Sequence, residues 1–403
     1  MAVLTIPSIT LDGSPLPLGQ VAADVTIRHG RSSYFDGATA STCQITALGV
    51  SRSLVQSVKL GAALVVNYSA DGGPPAPRFT GRTTDATLDG DALTIIGVGK
   101  ISTLDGFTVG ASGAAYPQET WSSRVGRVFQ DAGLITILDL ATDPALNPVL
   151  NSRAAGNPLS LAEYVDGLLG MVGAAMADMP NGHIRIEAVT GRSSTAYLIS
   201  VPADTVLYAP RWENVLPGFN TANVPYGGPG TTTGTATATD TAAVTKYGPR
   251  PTTVDPSEIR NLADAQTLAN NIVARQAAPR WSTPSAELLT GLVLAPSAYE
   301  DGLMLGRPLK ITNLPSSAPF NPWTGIVEGW TDRVSSDGDR LTWGMEISLS
   351  DPFYSGVTVD LAWEDVAAAV TWASVDPTIT WDNANQIGGS RALDTEPRST
   401  VPR

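Results

Sequence analysis

The chain has few of the residues that carry most enzyme chemistry. Its 403 residues include one cysteine, Cys43, and two histidines, His29 and His183. A single thiol excludes an intrachain disulfide and a thiolate metal cluster. Two imidazoles leave little for zinc or general-base chemistry, and both read as structural or surface residues. Charged residues are only 16% of the chain, and just four are lysines: Lys59, Lys100, Lys246 and Lys310. The net charge of −13 argues against tight binding of nucleic acid, which needs a basic footprint, though not against a surface past which DNA slides. The longest near-apolar run, Leu168–Ala177, is far below the ~18–20 residues of a membrane span. The N-terminal Met-Ala-Val-Leu-Thr-Ile-Pro lacks the basic and apolar regions of a secretory signal. These features read as a soluble protein made in the cytoplasm, without stable membrane insertion.

Catalytic motifs are missing too. There is no Gly-x-Ser-x-Gly elbow and no Gly-Lys-Ser/Thr phosphate cradle, and Gly97-Val98-Gly99 lacks a third glycine. Asp337 and Asp339 are close in sequence, but they read as turn formers. The Asp-rich turns at Asp71, Asp89–Asp91 and Asp337–Asp339 lack calcium-loop spacing. No catalytic, cofactor or metal-ligating residue is assigned. An acidic glycoside hydrolase stays open as a reading, because paired carboxylates form in space and leave no sequence signature.

Small and turn-forming residues are abundant. Gly and Pro number 39 and 30, about one residue in six against an average nearer one in eight. With 42% apolar residues, the composition predicts real cores built from many short strands. Val21–His29, Cys43–Leu48, Val58–Tyr68, Phe79–Leu88 and Leu93–Val98 are strand-like, with Asp89-Gly90-Asp91 as a hairpin turn. Thr120 caps a predicted helix with Trp121, Val125, Val128 and Phe129 on one face, ending near Gly133. Ser160-Leu161-Ala162-Glu163 is a capping box before a second helix, and Asn181-Gly182 marks a hairpin tip. Gly227–Thr241 is low in complexity and reads as a loop or an exposed hairpin. A third helix is predicted over 256–276, opened by Asp255-Pro256 and carrying Ile259, Leu262, Leu268, Ile272 and Val273 on its apolar face. Leu288–Leu294, Pro308–Asn313, Gly325–Val334 and Arg340–Ser350 follow as strands.

Beyond residue 353 the pattern changes. Leu361-Ala362-Trp363-Glu364-Asp365-Val366 is echoed by Val370-Thr371-Trp372-Ala373-Ser374-Val375 and by Ile379-Thr380-Trp381-Asp382-Asn383-Ala384. On a helix, a nine-residue spacing puts successive tryptophans on opposite sides, so the repeat reads as three short extended units. Such units are too short to build a core of their own. Trp363, Trp372 and Trp381 are therefore expected to dock on a partner surface, an adjacent subunit or the next protein in an assembly. Folding back onto the chain's own strands and stacking on sugars are the alternatives. From Gly388 the tail is polar.

The order of several short motifs resembles the hub-type minor tail proteins of long-tailed actinobacterial phages. Those motifs are Val25-Thr26-Ile27-Arg28-His29-Gly30-Arg31, Pro77–Arg82, Ile95–Gly99, Val244–Gly248, Leu305–Leu309, Thr324–Gly329 and Trp343–Pro352. The resemblance implies two tail-tube-like antiparallel β-barrels with a smaller domain inserted between them; with the α+β character read for that insert and the extended C-terminal arm read from the tryptophan repeat, the expected fold is mainly β. The corresponding domains are 1–114, 115–199, 200–352 and 353–403. It further implies a homotrimeric hub ring at the tail tip of the virion. Its partners would be the tail tube or distal tail protein, receptor-binding proteins and the tape-measure protein, with genomic DNA only in passage. The rival reading is a carbohydrate-binding receptor module on a β scaffold. No lysozyme or peptidase signature is present.

Overall fold

The computed structural model describes residues 8–16, 23–31, 37–68, 75–109, 115–142, 146–154, 158–187, 199–201, 213–215, 218–255, 257–276, 280–282, 285–289, 308–311, 323–337 and 340–350. The first segment is built from seven strands. They are β1 (Ser8–Leu11), β2 (Ser14–Pro15), β3 (Ala23–Gly30), β4 (Thr42–Leu48), β5 (Ala63–Tyr68), β6 (Ala76–Asp89) and β7 (Ala92–Val98). In β4, Cys43, Ile45 and Ala47 point inward while Thr42, Gln44 and Leu48 face water. In β7, Leu93, Ile95 and Gly97 point inward in the same way. This period of two lets a sheet cover a core with one face only. Gly90, at φ 60°, closes the β6–β7 hairpin where Asp89-Gly90-Asp91 predicts a turn. A short helix missing from the sequence reading, α1 (Arg52–Ser57), starts at Ser51, whose Oγ accepts from the Leu54 amide at 3.3 Å.

The largest correction concerns the barrels. Among the described residues no closed barrel is found. Strands from both ends of the chain instead share one 12-stranded sheet. β3 pairs antiparallel with Trp323–Asp337, running from Gly329 opposite Gly30 to Ser335 opposite Asp24, and Trp323–Asp337 pairs on its other edge with Arg340–Ser350. Alternation along a strand fixes which face is buried but says nothing about which distant strand lies alongside it. Gly329 permits the close approach at this seam, since a Cβ there would collide with the His29 and Arg31 carbonyls.

The helices lie between these two ends. Here α2 (Trp121–Asp131) buries its predicted face and α3 (Leu161–Gly170) buries Leu161, Tyr164, Val165, Leu168 and Leu169, with Thr120 and Ser160 as their caps. They pack on a three-stranded sheet of Leu138–Ala141, Ile184–Glu187 and Ala175–Asp178, whose last two strands meet at the Asn181-Gly182 turn. The Gly/Thr/Ala stretch contributes to an antiparallel hairpin, Thr221–Tyr226 with Gly234–Thr239. Next come α4 (Thr241–Tyr247), capped by Asp240, and α5 (Leu262–Gln276). The latter starts later than Asp255-Pro256 predicts, because Asn261 provides the cap: its Oδ1 accepts from the Asp264 amide at 2.9 Å. Ile259 is freed from the helix to bridge Leu150, and Leu262, predicted to be inward, is half exposed. Residues from Ile101 to Val273 form one continuous core, so α5 packs in the same cluster as α2 and α3. Among the described residues, no helix is long and apolar enough to cross a membrane.

Candidate assembly framework

The predicted docking residues Trp363, Trp372 and Trp381 lie outside the described residues, as do Asp339 and the side chain of Asp337. The two histidines are described. His183 is partly exposed and sets Nδ1 3.2 Å from the Asp139 carboxylate, bracing neighbouring parallel strands. His29 is buried at 1% exposure, its Nε2 donating to the Arg78 carbonyl at 2.6 Å. That bond leaves Nδ1 to accept from Ser41 Oγ at 2.7 Å. Ser41 is 1% exposed. A serine–histidine pair at this distance has the geometry of an activated nucleophile, but both groups are closed off from solvent. The pair is an element of folding.

Around that pair three parts of the chain meet. Asp178, at the end of the Ala175–Asp178 strand, accepts from the Ser41 amide at 2.8 Å and from the Ile101 amide at 2.9 Å. Gly99 makes room for it, since any Cβ there would occupy the Asp178 carboxylate. From the distal strand, the Trp330 ring lies tilted against the His29 ring at 4.8 Å between centroids, and the Asp332 carboxylate lies 4.0 Å from Arg78. Arg31 Nε donates to Glu328 at 2.8 Å. Burial holds His29 down at about 4, so the ring stays neutral. The same burial pushes Asp178 up to about 6, outweighing the backbone amides of Ser41, Ile101 and Lys100 that donate to it. It also raises the Cys43 thiol, which therefore stays protonated and inert.

A second joint is centred on Arg124, fully buried in α2. Its Nε donates to Glu119 at 2.7 Å, Nη1 to Tyr164 Oη at 2.7 Å and Glu258 at 2.9 Å, and Nη2 to the Pro117 and Asn151 carbonyls. Arg153 adds a bond to Glu258 at 3.2 Å and lies over the Tyr164 ring. Arg127, on the exposed side of α2, shares Glu119. The guanidinium fork fixes several backbone directions at once, which a lysine could not do. The sequence reading missed both joints. Glu119 and Arg124 fall within one capping segment, but Glu258 and Asn151 reach them only through the tertiary fold. Among the described residues, no group of three His, Cys, Asp or Glu is placed to hold a metal ion.

These joints fix the relative placement of sheet, helical insert and distal strands. No family model matches the chain, and no curated protein matches it in sequence. Among solved structures it is similar to the 43 kDa tail protein of prophage MuSo2 from Shewanella oneidensis, at 16% identity and a TM-score of 0.57, over 86% of this chain and 98% of that one. A tail protein from Neisseria meningitidis MC58 is similar at 14% identity and a TM-score of 0.57, over 86% and 97%. Prophage tail protein gp18 from Listeria monocytogenes EGD-e is similar at 9% identity and a TM-score of 0.50, over 81% and 94%. At these identities the likeness is one of fold.

Proposed function

We propose that the chain is a non-enzymatic structural protein of a phage tail. In this reading it forms a homotrimeric hub ring at the tail tip, joining the tail tube to the host-binding apparatus around the DNA exit path. One observation carries the reading: the shared fold spans nearly the whole length of two tail proteins and most of this chain. The buried joints support it, because they hold three chain segments in fixed register, with the Ser41–His29 pair closed off from solvent. The net charge of −13 suits a wall past which DNA moves without counterion-release binding. Trp363, Trp372 and Trp381 serve as docking anchors for neighbouring tail proteins. Light scattering on the size-fractionated full chain, together with a glycan-binding screen, tests the proposal. A stable trimer without sugar affinity is expected. A sugar-binding monomer would overturn the reading in favour of a receptor module.

A further inference from the structure

The outer half of β6 is an open edge. β5 pairs with β6 only as far as Arg82, opposite Ala63, and the last backbone bonds on that side are Thr83 to Ala62 and Gly61 to Thr83. From Thr84 to Asp89 the strand pairs with β7 alone, and all six of these residues are exposed. Among the described residues nothing lies along their other side. An open stretch of strand is a template for one more strand.

The slot also has an uncovered apolar face. Leu88 stands opposite Leu93 and Ala86 opposite Ile95, so both point to the side on which Leu93 and Ile95 are buried. Leu88 is nevertheless 50% exposed, and Leu60, where the β4–β5 connection bounds the slot, is 68% exposed. The occupant should therefore be an extended segment about six residues long with a large apolar side chain facing Ala86 and Leu88.

The C-terminal repeats are six-residue units, each centred on a tryptophan. Charge selects among them. The edge carries Asp85 and Asp89, and like charges set opposite each other across strands are destabilising. Repeat 361–366 brings Glu364 and Asp365, and repeat 379–384 brings Asp382, whereas Val370-Thr371-Trp372-Ala373-Ser374-Val375 is uncharged. Pro377, just beyond it, cannot donate to a ladder and so ends the strand there. Reach is sufficient. The last described strand ends at Ser350, opposite Ile326. From there the slot lies about 30 Å along the strands and about 30 Å across them at normal spacing, while some twenty extended residues span about 65 Å.

We propose that residues 370–375 add as a strand to the open edge Thr84–Asp89 of their own chain, with Trp372 covering Ala86 and Leu88. The middle repeat then clamps the arm to the framework, and the acidic outer repeats present Trp363 and Trp381 to other proteins. The inference departs from the arm docking proposed above for Trp372 alone, which docks on its own chain while Trp363 and Trp381 stay available to neighbouring proteins, and it is independent of the tail location.

Amide hydrogen exchange on the full-length chain tests it without any assembly. The edge amides of Thr84–Asp89 that β7 does not hold should exchange at least tenfold more slowly than in an open strand. That protection should be independent of protein concentration. Trp372→Ala and, separately, Leu88→Asp should each abolish it. Leu88 is half exposed and outside the cores, so protection of β4 and β7 should stay intact. Trp363→Ala and Trp381→Ala should leave the edge protected. Free exchange of these amides in the unaltered chain would overturn the proposal. So would protection that survives both disruptive substitutions, or that rises with concentration, which would assign the edge to a second copy.

Discussion

Arg124 and His29 are equally deep, at 0% and 1% exposure, yet their surroundings differ in kind. Arg124 is a permanent cation met by two carboxylates, a phenol and two carbonyls. His29 is a base kept neutral, near an acid, Asp178, that burial also drives toward neutrality. The first joint keeps its charges by pairing them, whereas in the second burial works against the charged forms of His29 and Asp178, beside the ion pairs Arg31–Glu328 and Arg78–Asp332. A buried charge deprived of its partner is costly, whereas a neutral polar group loses only hydrogen bonds. The difference implies that the two joints fail under different insults, one by mutation and the other by pH.

The sharpest way to break this contrast is Arg124→Met. It strands Glu119 and Glu258 around an apolar side chain, and the expected loss is about 3–5 kcal/mol in denaturant unfolding. A loss below 1 kcal/mol would mean that the ion pairs are dispensable. At the neutral joint, pH is the probe. His29 has a folded value of about 4 against an ordinary value of 6.5. In acid the unfolded chain binds its proton first, so this group's stabilisation is full above pH 6.5 and is lost as pH falls toward 4. Asp178 has a folded value of about 6 against 3.8. There the folded chain binds the proton first, so stability rises as pH falls from 6 toward 4. Between pH 4 and 6 the two slopes oppose and nearly cancel. Asp178→Asn should uncover the histidine slope, with stability dropping by about 1.4 kcal/mol per pH unit through that window, and His29→Gln should uncover the reverse slope. Thermal melts at a series of pH values read both; parallel pH profiles in the two variants would refute the pairing.

Gly99→Ala sharpens the comparison on steric grounds. Its methyl group competes with the Asp178 carboxylate for space, and a loss of about 1–3 kcal/mol is expected. The same substitution at Gly126, with nothing within reach of its Cβ, is the matched control. The smallest effect belongs to Arg127→Ala. Arg127 binds the same Glu119 as Arg124, but with a side chain 45% exposed, and the change should stay within about 0.5 kcal/mol. Comparable losses at Arg124 and Arg127 would remove burial as the explanation.

Local structure was readable from the chain because its signals are local. Thr120 and Ser160 cap α2 and α3 as predicted, Asn181-Gly182 turns a hairpin, and the alternation of β4 and β7 marks their buried faces. The start of α5 was misplaced because Asp255-Pro256 is a generic opening signal, while Asn261 caps through a side-chain bond that competes with it. Pairing of β3 with Trp323–Asp337 was illegible. The strands are some 300 residues apart, and each half of the chain has enough strands to suggest a barrel of its own. For the same reason His29, Ser41 and Asp178 looked unrelated: only the seam between sheet and insert brings them together. The open half of β6 was hidden inside an ordinary hairpin signal, since the early end of β5 is a property of the sheet and leaves no mark in β6.

The proposed place of this framework in a phage tail is tested by locating the chain in a particle. Gold-labelled antibodies against the full-length protein, imaged on purified virions by electron microscopy, should mark the distal tip of the tail at the end away from the head. Label on the head, on the length of the tail shaft, or on no particle at all would contradict the account.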